Sequence, residues 1–303
     1  MEDIVRHTIS DLYKTLDLTA EQEIGFTVLS VPDIHPQIPF KSEVLRADYF
    51  SFILTKEGSG VYYLDEHIFP FHSGSIYFTN PGHVKSYELH DSKEAYIIIL
   101  TEDFLRENVY SEIYDEFPFL LAEIAPPKTA DADTLREFEN LYKQIFDEFE
   151  KTSIYKNNIL GKLFYILLLK LKEVFWFDYN PITEGNRNSQ IVKSFKQILE
   201  SEFKKITDYS EYGTLLQVQD FAERLSLHPN YLNSVIKAKT GRTINEWISK
   251  RTLSCAKTLL KNSSLSAKEI AYRLGYSEPT HFNRFFKKHQ NITPGAFRKK
   301  RNL

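Results

Sequence analysis

The chain of 303 residues carries a net charge of −3, with 23 Phe, 18 Tyr and a single cysteine, Cys255. This length predicts two domains, each able to bury its own core, and one cysteine excludes an intramolecular disulfide framework. The polar N-terminal sequence shows no secretory signal, and the most apolar run, residues 163–177, is too short and too charged to span a bilayer. We therefore expect a cytoplasmic protein with no membrane partner.

The small net charge conceals two halves of opposite sign. Residues 1–189 hold 17 Lys and Arg against 32 Asp and Glu, whereas residues 190–303 hold 21 against 9. A basic C-terminal part is what a polyanion-binding module needs, because each phosphate contact releases counterions. A solvated charged surface would give the same count, so charge alone leaves both interpretations open.

Residues 23–100 have the pattern of short β-strands separated by turns. We expect strands at 49–55, 61–64, 68–71, 75–79, 86–89 and 95–100, and turns at 56–60, 65–66 and 72–74. Many short strands at close spacing favour a sandwich or a small barrel.

Past Thr101 the pattern becomes helical. Residues 133–149 place apolar side chains at spacings of three and four, as an amphipathic helix does. Residues 154–177 are apolar around most of a helix, which must therefore be covered by the sheet or by a second subunit. Residues 180–190 carry Pro, Gly and Asn with little apolar content, so we expect an interdomain linker there.

The C-terminal third contains an internal repeat with a displacement of about 50 residues, between 221–237 and 270–287. Each copy predicts a helix, a short turn and a second helix, which is the arrangement of a helix-turn-helix unit. Three residues before the turn and three after it align between the copies: Ala222, Arg224, Leu225, Pro229, Asn233 and Lys237 with Ala271, Arg273, Leu274, Pro279, Asn283 and Lys287.

The second helix of each copy has an outward polar face. These residues are Asn230, Asn233, Ser234 and Lys237 in the first copy, and Thr280, Asn283, Arg284 and Lys287 in the second. Arginine can donate two parallel hydrogen bonds to guanine, and asparagine can pair with adenine in the same manner. Lys237 and Lys287, one turn further, are better placed for phosphates. A helical hairpin with an ordinary polar surface is the simpler alternative.

Between the copies, residues 243–261 predict one long helix that Thr243 can cap. Nineteen residues make roughly 28 Å of helix at about 1.5 Å per residue. A rod of that length could hold two reading helices about one DNA turn apart, roughly 34 Å. We therefore expect double-stranded DNA as a partner, bound at two half-sites about one turn apart.

These residues closely resemble the AraC/XylS family of bacterial transcriptional regulators. The matching motifs are Ile270-A-x-x-LGY, His281-FNRFFKK, Thr293-PGAFR and the connecting segment from Glu246 to Leu260. The resemblance implies a seven-helix domain that reads bases with Asn230, Asn233, Ser234, Thr280, Asn283 and Arg284. Many members have Arg where this chain has Ser234, so the first unit's readout is expected to be the weaker.

The N-terminal part looks like the cupin-type sensor domain of such regulators, since residues 74–87 resemble that barrel's Gly…Pro-Gly-x-His turn. The resemblance implies a small-molecule effector, a homodimer formed by residues 133–177, and RNA polymerase as a partner. The predicted fold class is thus α+β with two domains. A cupin-like barrel with trailing helices (1–179) precedes a linker (180–190) and an all-α DNA-binding domain with two helix-turn-helix units (191–303).

The sensor half leaves three interpretations. Five side chains could line an effector pocket: Arg46, Tyr62, Phe78, His83 and Tyr87. A barrel that only dimerises would explain the aromatic residues equally well. A metal-dependent cupin enzyme would need two or three His plus a carboxylate on facing strands, and only His83 stands where a ligand is expected. We therefore predict a sequence-specific regulator without metal, cofactor or enzyme activity, which joins the bacterial nucleoid when bound.

Overall fold

The computed structural model describes residues 6–19, 24–110, 112–122, 124–177, 187–208 and 212–299. The chain divides into two compact units, one of residues 1–184 with 239–241 and the other of 185–238 with 242–303. Each unit buries hydrophobic clusters of its own. The expectation that the length would support two separate cores is met.

The described strands of the first unit form one mostly antiparallel sheet. The strands are β1 (Arg6–His7), β2 (Phe26–Ser30), β3 (Phe40–Lys41), β4 (Leu45–Ala47), β5 (Phe50–Leu64), β6 (His67–Phe71), β7 (Ser75–Thr79), β8 (Val84–Leu100) and β9 (Lys128–Thr129). Their pairing follows the path β1-β4-β8-β5-β7-β9, while β2 and β3 also pair with β8, and β6 pairs with β5. Two long strands, β5 and β8, therefore organise the whole sheet.

The predicted turn at residues 56–60 is wrong, because β5 runs through it without reversing. The register against β8 shifts between Thr55 and Gly60, as at β-bulges. A Cβ on Gly60 would lie 2.1 Å from the carbonyl oxygen of Glu88, so glycine is needed there for close strand approach and not for a turn. The predicted break between residues 89 and 95 is likewise wrong, since β8 is continuous.

Side chains on β5 alternate between the two faces of the sheet. Phe50, Phe52 and Leu54 join a core cluster that α-helices cover, whereas Ser51 and Ile53 line a cavity on the other face. The same alternation applies to β7 and β8. The sheet thus separates a packed apolar core from a cavity.

The helices of the first unit confirm the two long predicted segments to within a few residues. They are α1 (Ile9–Thr15), α2 (Val31–Ile34), α3 (Glu102–Phe104), a π-helix (Leu105–Val109), α4 (Ile113–Glu116), a 3-10 helix (Pro118–Leu121), α5 (Ala132–Glu150) and α6 (Lys156–Phe175). Phe138 and Tyr142 of α5 pack with Phe164 and Leu168 of α6 on the sheet's core face. Only one side of α6 is used in that packing.

The described residues of the second unit form seven α-helices, the number that the family resemblance implies. These are α7 (Arg187–Thr207), α8 (Val218–Arg224), α9 (Pro229–Thr240), α10 (Ile244–Asn262), α11 (Ala267–Arg273), α12 (Pro279–Gln290) and α13 (Pro294–Lys299). Residues 187–190, the end of the predicted linker, belong to α7, and residues 180–186 lie outside the described ranges. Cys255 is buried within α10.

Side chains cap two of the helix starts, as predicted for Thr243. Thr243 and Glu246 form a reciprocal capping box at the start of α10, and Ser266 and Glu269 form another at α11. α10 spans 19 residues, the predicted length of the connecting helix.

Two helical glycines, one in each unit, provide a test of packing and its control. A Cβ on Gly161 of α6 would lie 2.1 Å from the carbonyl oxygen of Asn108, whereas one on Gly295 of α13 meets nothing within 4 Å. We expect Gly161→Ala to lower the free energy of unfolding by about 1–3 kcal/mol through overpacking. Gly295→Ala should be neutral or stabilising by up to about 1 kcal/mol. Urea titrations of both variants measure this, and equal effects would contradict it.

Candidate functional site

The internal repeat is preserved in the backbone of the two predicted helix-turn-helix units. The N–H of Leu227 donates to Ala222 O at 2.9 Å, and that of Tyr276 donates to Ala271 O at 3.0 Å. The turn residue has a left-handed φ in both copies, 53° at Ser226 and 86° at Gly275. α8 and α9 therefore form the first unit, and α11 and α12 form the second. We call α9 and α12 the recognition helices.

The second recognition helix has the two faces that its sequence predicts. Proline begins α12, as expected at the first helical positions. Phe282 and Phe286 are fully buried and anchor the helix. The opposite side carries four exposed side chains: Thr280, Asn283, Arg284 and Lys287.

The first recognition helix is similar, with one difference. Leu232 and Ile236 are fully buried, while Asn230, Ser234 and Lys237 are exposed. Asn233 is half-buried, and its Oδ1 accepts a hydrogen bond from the Ile244 N–H at 3.0 Å. This bond satisfies one of the donors that every helix leaves unpaired at its first turn, here in α10.

The two aligned asparagines therefore have different environments. The residue 50 positions after Ile244 is Pro294, which has no N–H to donate, so Asn283 cannot form the bond that Asn233 makes. Bidentate pairing with adenine uses both the oxygen and the nitrogen of the amide. The bond to the Ile244 N–H restrains the Asn233 amide against the start of α10, whereas no such bond restrains Asn283.

The aligned arginines before the turns contact the fold. Arg224 Nη1 lies 2.9 Å from Glu202 Oε1 of α7, and Arg273 Nη1 donates to the carbonyl oxygen of Ile206 at 3.3 Å. The guanidinium of Arg273 also lies over the Tyr212 ring. Both therefore tie their helix-turn-helix unit to the end of α7 and the residues after it, which explains why the repeat includes them.

The first unit contains a cavity of about 550 Å³ on the sheet face opposite α5 and α6. We call it the sheet cavity; its volume lies in the range that holds small organic ligands. Its walls are mostly apolar or aromatic, and they include Ile53, Tyr77 and Ile97. Two of the five predicted pocket residues, Tyr62 and Tyr87, line it.

The other three predicted pocket residues lie elsewhere. Phe78 faces the helices, with its ring 5.4 Å from Phe52 and 5.7 Å from Trp176. Arg46 donates to the carbonyl oxygen of Gly82. His83 Nδ1 lies 2.6 Å from Asp65 Oδ2. Strand alternation explains the first two errors, because the neighbours Tyr77 and Leu45 line the cavity.

Sequence reasoning missed Lys85, a buried residue that lines the sheet cavity. Its Nζ donates to Ser51 Oγ at 2.8 Å and to Thr79 Oγ1 at 3.2 Å, and it lies 4.7 Å from the Tyr49 ring centroid. Burial lowers the pKa of the Lys85 ammonium to about 7. Lys85 is two residues before Tyr87, so alternation along β8 could have placed it on the cavity face.

A second polar group on the cavity wall is uncharged. His35 Nε2 and the Tyr87 hydroxyl share a hydrogen bond of 2.7 Å, and the His35 ring stacks on Phe40. Burial lowers the pKa of His35 to about 4, so the imidazole is neutral at neutral pH. It can donate or accept a hydrogen bond but adds no positive charge to the cavity.

Among the residues that the structure describes, no group of three or more His, Cys, Asp or Glu side chains is arranged to hold a metal ion. Nor does any helix within them combine the length and apolar character needed to cross a bilayer.

Comparison with known families places this architecture. A family model described as an AraC-like ligand binding domain matches residues 44–158, and one described as a helix-turn-helix domain matches residues 221–300. The two matches together cover nearly two thirds of the chain. The chain belongs to the AraC family of DNA-binding transcriptional regulators. The predicted family and α+β fold class are thereby confirmed.

Individual relatives of this AraC-family chain are regulators. It is 29% identical over 149 residues to the Msm operon regulatory protein of Streptococcus mutans, covering 49% of each chain. It is 22% identical over 270 residues to the HTH-type transcriptional activator RhaR of Mannheimia succiniciproducens, covering 89% of this chain and 91% of the relative. The chain thus spans about half the length of the first and nine-tenths of the second.

Among solved structures, the C-terminal domain of AraT, a response regulator from Geobacillus stearothermophilus, is 30% identical with a TM-score of 0.33. That match covers 38% of this chain and 88% of the AraT domain.

The asymmetry between the aligned asparagines can be measured. We expect Asn233→Ala to lower the free energy of unfolding by about 1–3 kcal/mol, because the buried Ile244 N–H loses its partner. Asn283→Ala removes an exposed side chain and should change stability by less than about 0.5 kcal/mol. Guanidinium titrations of the two variants provide the comparison. Equal losses of stability would mean that the Asn233 contact does not hold α10 in place.

Proposed function

We propose that this chain is an effector-responsive regulator that reads two DNA half-sites with its recognition helices. One observation carries the proposal: α12 presents Asn283, Arg284 and Lys287 to solvent above two fully buried Phe anchors. The repetition of this unit in a basic segment supports DNA over a chance polar surface.

Each exposed side chain has a role that suits its chemistry. Arg284 forms a bidentate contact with guanine, and Asn283 pairs with adenine. Thr280, Asn230 and Ser234 contact base edges with single hydrogen bonds. Asn233 contributes less than Asn283, because its bond to the Ile244 N–H of α10 restrains its amide. We therefore propose that α12 supplies most of the sequence preference, and that Lys237 and Lys287 bind phosphates.

The connecting helix sets the proposed spacing. A 19-residue helix is roughly 28 Å long, close to the ~34 Å between successive major grooves on one face of DNA. Two linked readers also raise each other's effective concentration, so each can be individually weak.

The sheet cavity is the proposed effector site. The match of residues 44–158 to a ligand binding domain supports this assignment, as does a mostly apolar cavity with a few polar groups. An effector that binds one state of the protein better than another shifts DNA affinity by the same coupling energy. Since the relatives are regulators, we propose no enzyme activity.

We propose a homodimer formed by the exposed side of α6. Ile159, Ile166 and Leu169 lie on that side and are 39%, 43% and 40% exposed. Lys162 and Glu173 are both exposed, and they lie equally far along the helix, in opposite directions, from the midpoint between Ile166 and Leu169. In a two-fold antiparallel pair of helices, each Lys162 would face Glu173 of the other copy, so the surface is self-complementary.

The remaining partner and the location follow from the function. The relative RhaR is described as a transcriptional activator, which supports RNA polymerase as a partner of this chain. A regulator acts where its DNA is, so we place this one in the bacterial cytoplasm and at the nucleoid when bound.

DNA reading is tested by selecting bound duplexes from a random library with the full-length protein at a stated salt concentration. We expect two short half-sites about one turn apart. Arg284→Ala should cost about 1–3 kcal/mol on the best site and relax preference at one base pair, while Lys287→Ala should weaken all sites alike and reduce the salt dependence. Lys93→Met, a surface change on β8, is the control. Wild-type binding by both α12 variants would refute the assignment.

The dimer is tested by sedimentation. Ile166→Glu should raise the dimer dissociation constant by about tenfold or more, because it places a charge in the apolar contact. Ile68→Glu, at a residue of β6 that is 63% exposed, is the matched control and should leave association unchanged. Lys162→Glu should weaken association, and the double variant Lys162→Glu with Glu173→Lys should restore it. Association unaffected by all of these would place any dimer contact elsewhere.

A further inference from the structure

We propose that the effector is a small organic acid with one carboxylate and an apolar body, and that its carboxylate binds the Lys85 ammonium inside the sheet cavity. This inference rests on the proposed effector site and names the chemical class of its ligand.

Lys85 is held at the cavity wall by groups from two strands and from the bend before β5. Ser51 of β5 and Thr79 of β7 accept its hydrogen bonds, and the Tyr49 ring lies beside it. Within the described part of the chain, no carboxylate lies within 4 Å of its Nζ. Hydroxyl groups orient an ammonium without neutralising it, so the site has a positioned cation and no anion.

Two other buried cations, Arg106 and Arg251, each have a carboxylate partner. Arg106 Nη2 lies 3.0 Å from Glu102 Oε1, and Arg251 Nε lies 3.1 Å from Glu200 Oε2. A buried charge is costly unless it is paired, and the pKa of Lys85 falls to about 7 for that reason. A carboxylate entering the cavity would supply the missing partner and hold the amine in its charged form.

The rest of the cavity defines the body of the ligand. Beside Lys85 the walls carry Ile53, Leu89, Ile99 and Tyr77, which suit an aliphatic chain or an aromatic ring. The carboxylates that line the cavity, those of Asp17, Glu43 and Asp91, are exposed and lie at its solvent side.

A second anionic group would find little to bind. Lys41 also lines the cavity, but its Nζ lies 2.7 Å from Glu88 Oε1 and its side chain is mostly exposed. His35 is neutral, since burial lowers its pKa to about 4. Among the described residues that line the cavity, Lys85 is thus the one buried lysine without a carboxylate partner, which predicts a monocarboxylate and not a dicarboxylate or a phosphate ester.

The test compares acids with uncharged amides of the same shape. The probes are 4-phenylbutanoate and 4-phenylbutanamide, and octanoate and octanamide, each up to about 10 mM, where a ligand of millimolar Kd is close to saturating. Melting temperature and titration calorimetry are measured at pH 7.5 on full-length wild type, Lys85→Met and Lys93→Met. Lys93 lies on the same strand as Lys85, but it is exposed and paired with Glu57.

We expect at least one acid, and neither amide, to raise the melting temperature of wild type and of Lys93→Met. Lys85→Met should melt several degrees above wild type without ligand, because a buried charge is removed, and should bind the acid about tenfold or more weakly. The higher melting temperature shows that the loss of binding is not a folding defect.

Three results would overturn the proposal: equal binding of acids and amides, equal binding by wild type and Lys85→Met, or no binding of either acid. The first comparison needs no variant, so it stands even if Lys85→Met fails to fold. If the amides alone stabilise the protein, the sheet cavity remains the proposed effector site, and a carboxylic acid is rejected as its ligand. The DNA selection uses none of these probes, so failure of the acid class and failure of the regulator proposal are distinguishable.

Discussion

The register between β5 and β8 is the constraint on which the first unit depends. It places Phe52 opposite Ile98 and Ile53 opposite Ile97. Because side chains alternate along a strand, each of these pairs belongs to one face of the sheet. The first pair enters the core under α5 and α6, and the second lines the sheet cavity. A slip of one residue would exchange the two faces, so one register specifies both the core and the cavity.

The second unit depends in the same way on the burial of its recognition helices. Phe282 and Phe286 occupy one side of α12, and their burial leaves the polar side facing solvent. In α9 the corresponding burial of Leu232 and Ile236 is supplemented by the Asn233 contact to α10. The two helix-turn-helix units therefore share one fold, but their aligned asparagines have different contacts. A proline in place of one N–H leaves Asn283 without this contact, whereas Asn233 supports the connecting helix.

Local rules explain which parts of the fold could be predicted from the sequence. The long helices were predictable because their apolar period and caps agree, as at Thr243. The turn predicted at 56–60 was wrong because glycines such as Gly58 and Gly60 are as typical of a β-bulge as of a turn. Only the pairing with β8 distinguishes the bulge from the turn. The recognition faces were predictable from helical period alone. The Asn233 contact was not, since it joins residues whose distance depends on tertiary packing.

Lys85 shows why the cavity was harder to predict than the exposed polar face of α12. A lysine in a strand normally indicates a solvent-facing position, so that rule assigns Lys85 to the wrong face. Its alternation with Tyr87 and Leu89 places it on the cavity face. Tertiary structure reveals it because Ser51 and Thr79, on two neighbouring strands, direct hydroxyls at the same atom. An apolar residue there would relieve the desolvation of the charge, so folding does not require the ammonium. Two strands nevertheless direct hydroxyl groups at it. A charge that the fold solvates but does not neutralise is the arrangement expected where the missing partner comes from outside the chain.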